Sequence, residues 1–197
     1  MIIFILIPLS YLFEYSLVIK LVIGILGFGY ILFVLVRVEK NRFKIGKHLK
    51  WRLFWKRILI NLLIIAIVTS AFVWFTNKES LFAIVLNKPK IWILILFFYS
   101  FFSVYPQELI YRTFFFQRYK KLFKNDILFI LINALLFSLA HIFFKNALVL
   151  LLTFIGGILF ALTYRKTKST LLVAIEHSIY GCWLFTVGMG SMLGFPS

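Results

Sequence analysis

Apolar residues run along this chain in long blocks separated by short polar clusters. The blocks lack the strict alternation of half-buried strands and the wide polar face of surface helices. A first block, Ile2 to Val36, is interrupted by Glu14 and Lys20, which leaves open a short helix plus a full one or one long tilted helix. Further helices are predicted over Ile58 to Phe75, Ile91 to Lys121, Ile127 to Phe144, Ala147 to Tyr164 and Leu171 to Val187. A polar connection from Asn77 to Lys90 carries the breaker Pro89. Each block approaches the ~20 residues that cross a bilayer as a helix. The expected fold is therefore an all-α polytopic transmembrane bundle of about 6–7 spanning helices. The ~10-residue alternating strands of a membrane barrel are missing. The chain divides into N-terminal helices over 1–90, a core over 91–187 and a glycine-rich tail over 188–197, expected to be loosely structured.

Composition narrows the class. With 63% hydrophobic and only 14% charged residues, no polar segment remains to build a large soluble domain. The net charge of +16 would suggest nucleic acid in a soluble protein. Here Lys and Arg cluster in particular loops, so the charge sets topology and nucleic acid is not an expected partner. The segment from Arg37 to Arg57 holds nine Lys or Arg and one acidic residue. Its interleaved Phe43, Trp51, Phe54 and Trp55 fit a helix lying on anionic membrane lipid. Placing that segment in the cytoplasm also puts the loops Arg118 to Lys124 and Arg165 to Lys168 inside. Short loops and compact size point to a prokaryotic plasma membrane. The start, MIIFILIPL, lacks the basic region and cleavage site of a signal peptide and is read as retained. Cys182 is the sole cysteine, which excludes an intramolecular disulfide and a thiolate cluster.

Against this apolar background, ionisable residues inside helices are candidates for function, because each is costly unless paired or hydrated. The later helices hold Gln107, Glu108, Arg112, Asn133, His141, Glu176 and His177. Glu108 and Arg112 stand at i and i+4 with the acid N-terminal, the favourable orientation for an ion pair. Asn133, Phe137 and His141 repeat along one helix face. Counting outward from the turn near Lys124 to Asp126, Glu108 and His141 come level if both helices run unbroken. A glutamate facing a histidine in a secluded cavity can deprotonate water. The same residues could equally lock helices together by hydrogen bonds. Bringing His141 and His177 to one site requires strong tilt or a broken helix.

Three short motifs, QELIYR (Gln107 to Arg112), FSLAH (Phe137 to His141) and HSIYG (His177 to Gly181), follow in order on separate helices. In this the chain resembles the CPBP family, the membrane-embedded CAAX proteases and bacteriocin-processing enzymes also called Abi proteins. The resemblance covers about residues 90 to 187 and implies a four-helix catalytic core. It further implies hydrolysis of a peptide bond within the membrane, and the leading expectation is an endopeptidase acting on a peptide or membrane-anchored protein in the cytoplasmic half of the bilayer. Carried over, Glu108 and Arg112 match the family's second glutamate and its arginine, His141 its water-activating histidine, and His177 its oxyanion donor. Family members are described both as metalloproteases and as metal-free glutamate enzymes. His141, His177 and Glu108 would be the ligands of any zinc.

Two positions depart from the family pattern. Gln107 stands where the first glutamate is usual, and Gly181 where asparagine is usual. A lost base costs ~10²–10⁴-fold and a lost oxyanion donor ~10²–10³-fold. Three readings stay open: Glu108 acts as base with Arg112 holding it, Glu176 supplies the missing carboxylate, or catalysis is lost and a peptide- or lipid-binding cavity remains, in an immunity or scaffold role. A proton-coupled transporter finds no support, since no internal repeat is present.

Overall fold

Among the described residues, six helices are long and apolar enough to cross a membrane, and no strand occurs. The computed structural model describes residues 1–39 and 50–194. Large apolar side chains such as Ile25, Leu63, Ile67, Phe101 and Phe102 lie on the outside. In water such a surface would aggregate, whereas in a bilayer it is the solvent-facing side.

The first apolar block resolves into two helices. α1 (Ile3–Ser10) is about 12 Å long, well short of the ~30 Å hydrocarbon core. A turn carrying the exposed Glu14 separates it from α2 (Leu17–Phe33), whose helix runs on through a π-helical turn, Val34–Val38. The short helix is anchored by Phe4, whose ring meets Tyr111, Phe115 and Tyr119 edge-on. α3 spans Trp51–Thr76 and so begins well before the predicted Ile58. The expectation of a basic helix lying on lipid falls largely on residues 40–49, which lie outside the described residues. From Trp51 onward the basic stretch instead forms the first turns of a spanning helix. Phe54 is buried there, and the side chain of Arg57 reaches into the bundle.

A short helix, α4 (Ala83–Asn87), leads to Pro89 at the start of α5 (Pro89–Phe98). The chain then continues without a break through a π turn (Tyr99–Val104), α6 (Tyr105–Glu108), a second π turn (Leu109–Phe114) and α7 (Phe115–Tyr119). Each π turn inserts an extra residue and so rotates everything beyond it by roughly 100° relative to a regular α-helix.

The last three long helices are capped by short polar side chains. Asn125, Asn146 and Ser169 each accept a hydrogen bond from backbone N–H groups opening α8 (Asp126–Leu139), α9 (Ala147–Thr167) and α10 (Thr170–Val187). α8 and α9 run antiparallel, since Ser138 bonds the Leu150 carbonyl while Ala134 meets Gly157. A Cβ at Gly157 would stand 3.0 Å from the Ala134 Cα, so glycine lets these two helices close on each other. Beyond α10 the described part of the tail, to Gly194, is packed rather than loose. Gly188 turns the chain at φ +103°, Met189 is buried beside Val73 and Val187, and Gly190–Leu193 forms a short 3₁₀ turn.

Candidate active site

The helix carrying QELIYR places its two adjacent polar residues in different surroundings. Glu108, on α6, is fully buried behind the site. Its Oε1 accepts from His177 Nδ1 at 2.8 Å, and its Oε2 lies 3.2 Å from Arg112 Nε. Arg112 is equally buried and donates from Nη1 to Asn133 Oδ1 at 2.6 Å. Asn133 in turn donates to the Tyr111 carbonyl at 2.7 Å. The guanidinium lies 4.8 Å from the centre of the Phe137 ring, a cation–π distance that lowers the cost of burying it. These contacts join α6, its following π turn, α8 and α10 into one polar knot.

Gln107 faces the other way. It lines a cavity of about 330 Å³ together with Tyr99, Ser103, His141, His177 and Gly181. Its amide donates to Ser103 Oγ at 2.8 Å, and its Oε1 is buried with no hydrogen-bond partner. His141 reaches the same cavity from beyond the end of α8, which stops at Leu139. Its Nδ1 lies 2.9 Å from the Phe137 carbonyl. A carbonyl only accepts, so Nδ1 carries the hydrogen and Nε2 keeps a free lone pair. His177 stands two turns into α10, stacked on Phe160 at 4.3 Å between ring centres. Its Nε2 lies 3.1 Å from the Tyr99 hydroxyl.

The expected pairing of Glu108 with His141 is therefore replaced by Glu108 with His177. The hairpin count assumed two unbroken helices. A π turn on one side and a helix end before His141 on the other break both conditions. The same early end of α8 brings the two histidines to one cavity, which an intact helix would have kept apart.

Glu176, the residue beside His177, does not line this cavity. It is fully buried and bonds Thr163 of α9, Arg57 of α3 at 3.3 Å and Tyr180 Oη at 3.1 Å. For the reading in which it supplies a missing carboxylate, its link to the cavity runs through Tyr180, which lines it. Arg57, Thr163 and Tyr99 escaped the sequence analysis. The first two act across long sequence separations with no local pattern. A signal for Tyr99 did exist, because the glycine at 181 leaves a space that some other side chain must fill.

The cavity extends from His177 past Phe144, Val149 and Leu193. It thus runs towards the end of the bundle opposite the basic turns around Lys120 and Lys168. A catalytic zinc needs about three protein donors and an open position. Among the described residues no three His, Cys, Asp or Glu side chains come together as such a set. Glu108 is held behind His177 by Arg112, and an amide occupies the neighbouring position in the cavity. Among the described residues the donor set at this cavity does not fit zinc.

A family model described as type II CAAX prenyl endopeptidase Rce1-like matches residues 89–194, more than half of the chain. The match begins at the first residue of α5 and includes every side chain described around the cavity except those of α3. No curated protein and no solved structure matches the chain.

Proposed function

Because the chain belongs to the Rce1-like type II CAAX prenyl endopeptidase family, we propose that it cleaves a peptide bond of a peptide or membrane-anchored substrate inside the bilayer. The observation that carries this reading is the cavity shared by Gln107, His141 and His177, with a buried carboxylate bonded to the second histidine. His141 Nε2 takes a proton from water, whose oxygen attacks the carbonyl carbon of the scissile bond. The unpartnered Oε1 of Gln107 accepts the water's other hydrogen and fixes its direction. As the tetrahedral intermediate collapses, the C–N bond breaks and His141 returns its proton to the leaving amine. Glu108 holds His177 by its Nδ1 and keeps its Nε2 turned to the cavity, and Arg112 holds Glu108. Glu108 is then a positioning residue, and His141 carries the base.

Gln107 also favours a second reading, in which the protein binds a peptide or lipid without cleaving it. An amide cannot serve as a general base, so all base strength rests on one histidine. Membrane peptidomes of cells carrying wild type, His141→Ala or Gln107→Glu separate the two. Cleavage products present with wild type and lost with His141→Ala are expected. Products arising only with Gln107→Glu would make the natural protein a binder.

A further inference from the structure

Gly181 and Tyr99 occupy a common space. A Cβ placed on Gly181 would overlap the Tyr99 hydroxyl and the edge of its ring, so no residue other than glycine fits at 181 while Tyr99 holds this rotamer. Tyr99 comes from a different helix and opens the π turn Tyr99–Val104. The ring is wedged edge-on against Phe185 at 4.8 Å and faces His177 at 6.0 Å between centres. Its hydroxyl lies 3.1 Å from His177 Nε2, on the wall that also carries Gln107, Ser103 and His141. A phenol there is a rigid donor beside the nitrogen that Glu108 orients.

We propose that the Tyr99 hydroxyl is a catalytic hydrogen-bond donor, supplying to the tetrahedral oxyanion the proton contact that a polar side chain at position 181 could otherwise make. The inference rests on the protease reading above. With Glu108 accepting from Nδ1, His177 offers Nε2 as an acceptor, and the Tyr99 O–H can rotate from that nitrogen towards bound substrate. The phenol's own O–H is then free to point at the substrate oxygen as negative charge develops there. The bond strengthens as the carbonyl becomes an oxyanion, so it acts on the transition state more than on the bound substrate. Gly181 is in this view the opening that admits the donor.

The test uses the full chain in detergent or liposomes, with a quenched fluorescent prenylated peptide ending in a CAAX sequence as the probe. Tyr99→Phe keeps the ring and its packing. It is expected to lower kcat by ~10²–10³-fold, the cost of one oxyanion donor, while KM changes by less than about threefold. A swap adds a readout that a packing role would not move. Gly181→Asn should reduce activity in the wild-type background and raise it at least about tenfold in the Tyr99→Ala background, where space and a missing donor coincide. Unchanged kcat in Tyr99→Phe, or a loss confined to KM, overturns the role of Tyr99 while leaving the protease reading intact. A wild-type protein that cleaves neither this probe nor any membrane peptide overturns the protease reading and this inference with it.

Discussion

Two buried carboxylates stand on either side of His177, and they have opposite surroundings. Glu108 bonds the histidine and an arginine of its own helix that is as buried as itself. Glu176, one residue before the histidine, turns away to Thr163, Tyr180 and an arginine from α3 whose side chain keeps 29% of its surface exposed. Both satisfy the expectation that a charge in a membrane is paired. Only the first touches a histidine of the cavity; Glu176 meets the lining through Tyr180, whose hydroxyl it engages. Burial and pairing therefore do not distinguish a site from a helix clamp; contact with a side chain that has an open coordination or hydrogen-bonding position does.

The largest effect should come from breaking the first cluster. Glu108→Ala leaves Arg112 charged and enclosed, and removal of one partner from a buried pair costs about 3–5 kcal/mol. It also frees His177. Both thermal stability and cleavage should fall, the latter by at least ~10²-fold per folded molecule. Unfolding in detergent and turnover on the same preparation measure the two separately. Retained turnover at reduced stability would show that Glu108 is only a clamp and would erase its difference from Glu176.

A smaller effect is expected at the second cluster. Glu176→Ala strands Arg57, but that side chain reaches the outside and can rehydrate. The loss should therefore be that of hydrogen bonds to a charged group, about 1.5–3 kcal/mol, with turnover per folded molecule within a few-fold of wild type. A turnover loss matching that of Glu108→Ala would restore Glu176 as a catalytic acid and sink the distinction.

The sequence makes one half of this comparison visible and conceals the other. The apolar blocks locate every long helix, because a bilayer demands about 20 apolar residues and leaves few other ways to satisfy the backbone. Glu108, Arg112, His141 and His177 of the motifs, together with Asn133, are conspicuous as polar groups in apolar helices, and the structure gathers them at the cavity or in the polar knot behind it. Which of Gln107 and Glu108 faces the cavity is not legible. That choice depends on helical phase, and the π turns at Tyr99–Val104 and Leu109–Phe114 shift it without any proline or glycine inside them to announce the change. The end of α8 before His141 is similarly unmarked, since Leu139 and Ala140 are good helix formers. Arg57 reads as one more cation of a basic loop, and its contact with Glu176 links residues far apart in the chain.

The finest test of the comparison removes one phenol oxygen at a time. Tyr180 and Tyr99 both border the cavity, and both hydroxyls touch an acid–histidine neighbourhood. The Tyr180 hydroxyl donates to Glu176 Oε1 at 3.1 Å and lies 3.5 Å from the Ile58 carbonyl, so its proton is engaged inside the clamp. Tyr180→Phe takes one donor from a carboxylate that still has Thr163 and Arg57. The expected cost is about 1 kcal/mol in stability, at the lower end for a bond within a network that retains other partners, with no change in kcat. Tyr99→Phe deletes the same atom from the same residue type and should cost a similar ~1 kcal/mol for its bond to His177, while also removing most of the turnover. Measured side by side, the two variants subtract the generic effect of losing a buried hydroxyl. What remains is the difference between a hydrogen bond that holds helices together and one that becomes stronger as the reaction proceeds.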